Sequence, residues 1–77
     1  MDPELASTPD WIALLAADLS REVARLGRAQ GHALSPGLIA VARLDEGWRI
    51  VARGDAGQLA LVPDRWHGHP VVKQAAA

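Results

Sequence analysis

Apolar positions recur at spacings of three and four through the first part of the chain. Ile12, Leu15, Leu19, Val23 and Leu26 form one stripe, widened at its start by Trp11 and Leu14. That period predicts an amphipathic helix. Thr8 is placed to cap it, Pro9 suits the first helical position, and Asp10 sets a carboxylate where the helix dipole favours an anion. Gly31 supplies a stop, so the helix is predicted over residues 9–30. Asp18, Arg21, Glu22, Arg25 and Arg28 fall mostly off the stripe at spacings that allow surface ion pairs. Gly27 interrupts the pattern. Either it weakens the last turn by about 1 kcal/mol relative to alanine, or it permits a close approach of another part of the chain.

Beyond a connector at residues 32–37, the pattern changes to short β-like runs at 38–44, 48–53 and 58–62. Asp45-Glu46-Gly47 and Asp55-Ala56-Gly57 separate them, and each reads as a three-residue hairpin loop closed by a left-handed glycine. That geometry would set Leu44 opposite Trp48, Ala42 opposite Ile50 and Ala52 opposite Ala60. Because side chains alternate along a strand, one face would then carry Leu38, Ala40, Ala42, Leu44, Trp48, Ile50, Ala52, Ala60 and Val62. This apolar face, small in its middle, is the expected seat of the helix. The other face would carry Ile39, Val41, Val51, Leu59 and Leu61, rimmed by Arg43, Arg49 and Arg53. A sheet face left to water is normally polar, so this second face is expected to be covered by a partner or by Trp66, Val71 and Val72. A fourth short strand near Val71 is also expected.

The predicted fold class is therefore α+β: one N-terminal helix packed on a three-stranded antiparallel meander. At 77 residues there is room for a single domain, expected over residues 9–72, with a leader at 1–8 and a frayed tail at 73–77. So small a core supplies only roughly 3–5 kcal/mol, and such domains commonly add a staple. The chain has no cysteine, which rules out disulfides and thiolate metal sites and leaves self-association or a partner chain. The formal net charge is −1, against the basic balance of a duplex-binding domain, so no nucleic-acid partner is expected. No apolar run is long enough to span a membrane, and acidic Asp2 and Glu4 stand where a signal peptide is basic. A cytoplasmic protein without a membrane partner is the expectation.

Enzyme signatures are thin. Phosphate loops and nucleophile elbows are absent, tyrosine does not occur, and Ser7, Ser20 and Ser35 have no base–acid arrangement beside them. No enzymatic activity and no cofactor are expected. His67-Gly68-His69 would point two imidazoles one way if extended, and His32 could add a third ligand from the connector. A histidine metal site or small catalytic domain is thus the competing reading, against exposed loop histidines. Trp48 reads as core; Trp66 reads as core or as an interface anchor. Arginine and large apolar groups favour protein interfaces while lysine is depleted there. The leading expectation is accordingly a non-enzymatic interaction module, an accessory or assembly subunit. It would dock on a protein or on itself through Ile39, Val41, Val51, Leu59 and Leu61, with Arg43, Arg49 and Arg53 at the rim.

Residues 19–50 resemble the gas vesicle accessory protein O family, through Gly31 in the connector and the run Leu44-Asp45-Glu46-Gly47-Trp48-Arg49-Ile50. That family has a helix, a glycine-containing connector, a strand, an acidic turn and a Gly-Trp-Arg-aliphatic run. Val51-Ala52-Arg53-Gly54 stands where its acid-rich strand would follow. The resemblance implies a gas vesicle accessory role, a minor alternative to the general docking module.

Overall fold

The apolar stripe forms helix α1 (Asp10–Ala29). The structure, a computed structural model, describes residues 8–34 and 37–75; the expected leader therefore lies outside the described residues except for Thr8. Pro9 rather than Thr8 is the N-cap, and no side chain caps this end; Pro9 instead offers its carbonyl to the Ala13 amide at 3.1 Å. At the other end the His32 amide donates to the Gly27 carbonyl at 2.8 Å and the Gly31 amide to the Arg28 carbonyl at 3.2 Å, with Gly31 at φ 74°. This is a Schellman stop, which a residue with a β-carbon would strain. Gly27 serves close approach: a β-carbon there would come within 2.8 Å of the Leu34 side chain.

Strand β1 (Ile39–Leu44) and strand β2 (Gly47–Gly54) form the expected first hairpin, with a different register. Leu44 pairs with Gly47, Arg43 with Trp48, Val41 with Ile50 and Ile39 with Ala52. Only Asp45 and Glu46 remain in the turn. Neither adopts a positive φ; that rotation falls at Gly47, φ 111°. A two-residue turn without left-handed residues splays strands unless a neighbour restores the twist, and Gly47 provides that freedom.

The expected third meander strand is absent. Asp55 caps a one-turn helix, α2 (Ala56–Leu59), by accepting the Gln58 amide at 2.8 Å, and Gln58 Oε1 accepts the Asp55 amide at 3.0 Å. This reciprocal capping box satisfies two otherwise free amides at once and overrides the apolar alternation of residues 58–62. The chain then makes β3 (Arg65–Trp66) and β4 (His69–Ala75). His67 and Gly68 join them with φ of 49° and 80°, both left-handed as a type I′ hairpin turn requires. β4 continues through Lys73 and Ala75, the stretch expected to fray.

The fold is α+β as expected, but the sheet is mixed and four-stranded, in the order β1-β2-β4-β3. β2 and β4 run parallel, pairing Ile50 with Val71 and Val51 with Val72. α1 lies on one side. Its Ile12, Ala16, Leu19 and Val23 pack with Leu38, Ile50, Ala52, Val62 and Val71, all buried.

Gly54 is buried beside the capping box, where a β-carbon would stand 2.5 Å from Gln58 Oε1 and 2.9 Å from Leu38 Cδ1. Gly54→Ala is therefore expected to lower stability by about 1–3 kcal/mol, the usual cost of overpacking, as read by urea unfolding. Lys73 Nζ lies 2.9 Å from the Asp64 carboxylate; that hydrogen bond, with the lysine charge, holds the Asp64 pKa below its ordinary value. A carboxylate shifted down in the folded state binds fewer protons there than in the unfolded chain. Its stabilisation is present at neutral pH and is lost as pH falls through the acid range. Thermal melts of Lys73→Met and the native chain are expected to differ slightly at neutral pH and to converge in acid; a gap that widens on acidification would contradict this.

Candidate functional site on the outer sheet face

The register decides which side chains share the face away from α1. Paired residues point the same way. Ala40 with Val51, Ala42 with Arg49, and Val51 with Val72 therefore stand together on that outer face. Leu44, Arg53, Pro70 and Gln74 follow by alternation, and Arg65 follows from its pairing with Pro70. No element among the described residues lies over this face. Its centre is aliphatic and low: Val51 is buried, Val72 and Ala42 are half-buried and Ala40 is exposed.

Three guanidiniums surround that centre, and among the described residues each is bonded only to a neutral oxygen. Arg49 donates to the Trp48 carbonyl at 2.8 Å, Arg53 to Gln74 Oε1 at 2.7 Å, and Arg65 to the Gly68 carbonyl at 3.1 Å. Among the described residues the face carries no carboxylate. Positive charge held on an apolar floor, with its donors only partly used, suits an incoming carboxylate, since charge-assisted pairs are roughly twice as strong as neutral ones.

Of the residues expected here, Val51, Arg49 and Arg53 do lie on the outer face. The expected placement of the others is corrected. Ile39 and Val41 pair with Ala52 and Ile50 and pack against the core beneath α1. A one-residue register step exchanges the faces of a strand, and the two-residue turn makes that step for β1. Arg43 moves to the helix side with them. Leu59 and Leu61 sit in and after α2 rather than on a strand, and they too pack against the core.

The histidines are not gathered. His67 Nε2 lies 3.5 Å from an Asp18 carboxylate oxygen, the His69 ring stacks on Trp11 with centroids 5.2 Å apart, and His32 follows the α1 stop. The expected extended His-X-His segment is a tight turn instead. Among the described residues no group of three or more histidines and carboxylates is placed to hold a metal ion. Ser7 and Ser35 lie outside the described residues, and Ser20 is exposed on α1. Trp66 packs against the core, with its indole N–H buried and unpaired among the described residues. No described helix is long and apolar enough to cross a membrane.

The chain matches no protein-family model, and comparison with curated proteins and with solved structures finds no match. The resemblance of residues 19–50 to the gas vesicle accessory protein O family thus has no family model behind it.

Titration with Zn2+ or Ni2+ is expected to move the imidazole NMR signals of His32, His67 and His69 independently, if they move. Joint saturation at a single midpoint would reinstate a shared metal site.

Proposed function

We propose that this protein is a small non-enzymatic interaction module, an accessory or assembly subunit, that docks an acidic protein segment on the outer face of its sheet. The observation that carries this reading is the set Arg49, Arg53 and Arg65. They surround an aliphatic floor, have no carboxylate partner among the described residues, and are covered by no described element. Alanine at positions 40 and 42 and valine at 51 and 72 keep the floor low, so a helix or extended segment can approach its backbone closely. Arginine rather than lysine at such a rim favours bidentate pairing with carboxylates. A second copy laid face to face on this surface would add guanidiniums without carboxylates from the face itself, which favours a partner of opposite charge. A cytoplasmic setting fits a chain without cysteine.

A panel of amphipathic peptides with glutamates flanking an aliphatic stripe tests this. Their titration into the labelled chain is expected to shift the amides of Ala40, Ala42, Val51 and Val72. Binding should weaken as salt screens the pairs, and Arg49→Glu or Arg53→Glu should each lower affinity about ten-fold, the loss of one charged hydrogen bond of roughly 1.4 kcal/mol. Shifts elsewhere in the fold, or affinity indifferent to both reversals, would refute the reading.

A further inference from the structure

The outer face accounts for one surface; the free edge of β1 is another, and it carries a separate inference. The Leu38 carbonyl accepts the Arg53 amide at 2.9 Å, which fixes the phase of the β1–β2 ladder. Leu38, Ala40, Ala42 and Leu44 turn their backbone groups toward β2. Ile39, Val41 and Arg43 turn theirs outward, because alternate residues of an antiparallel strand bond to opposite sides. β1 ends the strand order, so these outward groups have no strand partner among the described residues. On the opposite edge β3 has 2 residues, against 6 in β1, and Lys73 stands on the stretch of β4 that β3 leaves uncovered. Unprotected edges pair with other strands, and the β1 edge has neither proline nor lysine to prevent it.

We propose that a second copy of the chain pairs antiparallel with this edge about a two-fold axis at Val41, and that Arg43 of each copy enters a cleft of the other. Centring on Val41 is the register that brings all three outward residues into pairs: Val41 with Val41 of the second copy, and Ile39 with Arg43 of the second copy. No like charges face one another. Ile39 and Arg43 both point to the helix side, so the incoming Arg43 lies beside Ile39 beneath α1. A half-open cleft of about 250 Å3 occupies that position, lined by Ser20, Ala24, Leu34, Leu38 and Ile39 among others. Its apolar walls fit the aliphatic stem of an arginine, and the Ser20 hydroxyl can accept from the guanidinium. Arg43 itself is exposed and has no hydrogen bond or ion pair among the described residues. The axis stands perpendicular to the sheet, so the dimer is one continuous sheet with both helices on one side and both outer faces on the other. A domain this small gains from such a staple.

Sedimentation equilibrium of the full chain is expected to show twice the chain mass of 8.2 kDa as concentration rises. Over the same range the amides of Ile39, Val41 and Arg43 should exchange more slowly, while those of Ala40 and Ala42, already bonded to β2, should not change. Arg43→Glu is expected to return the chain to monomer, and Arg53→Glu, on the outer face, to leave the dimer intact. A chain monomeric at every concentration overturns the proposal. So does a dimer in which those three amides keep their fast exchange, a reading that holds even if Arg43→Glu fails to fold. A dimer dissociated by Arg53→Glu and not by Arg43→Glu would assign self-association to the outer face.

Discussion

Leu44 pairs with Gly47, so only Asp45 and Glu46 remain in the turn between β1 and β2, and every side chain of β1 takes its side from that step. Ile39 and Val41 go beneath the helix, where they pack against the core that includes Ile50, Ala52 and Val23. Ala40 and Ala42 go to the outer face. Were the turn one residue longer, the aliphatic pair would face outward and the alanines would sit under α1. Burial decides between the two registers. Removing a large aliphatic side chain from water contributes about 1.5–3 kcal/mol, more than the strain of a turn whose positive rotation is displaced onto Gly47. The hairpin is set by what the helix must cover.

From that register follow the two surfaces. The outer face is low because the alanines are there, and it is cationic because Arg49 and Arg53 alternate with buried neighbours on β2. The β1 edge is open because the chain, having made the hairpin, crosses over to lay β4 on the far side of β2. The capping box directs that crossover. Asp55 and Gln58 turn the chain off β2 into α2 rather than into a return strand, and Gly54 leaves room for Gln58 to fold back. A third strand folded directly against β2 would occupy the position that β4 holds.

Two local signals in the sequence each fit more than one structure. Asp55-Ala56-Gly57-Gln58 fits both an acidic hairpin turn and a helix start, and the acid–amide pair three residues apart distinguishes them. Trp66-His67-Gly68-His69 is a two-residue turn with glycine at its second central position, flanked by residues that pair. It turns rather than extends because His67 tolerates a left-handed backbone more readily than bulky residues do, and Gly68 follows it at φ 80°. Asp18, beside His67, and Trp11, against the His69 ring, lie on α1, far away in sequence.

The sequence by itself determined α1, its Schellman stop at Gly31, the existence of β1 and β2 and the burial of Leu19, Val23 and Ile50. These follow from periodicities and caps that act over about four residues. The tertiary structure decided the face each β1 residue takes, the parallel pairing of β2 with β4, and hence the grouping of Arg49, Arg53 and Arg65. Strand alternation has a period of two, so a single residue of turn length reverses it, and only the competition to lie beneath the helix selects the answer. Arg53 and Gln74, 21 residues apart, meet because a crossover closes between them, and no local pattern in either segment encodes that meeting.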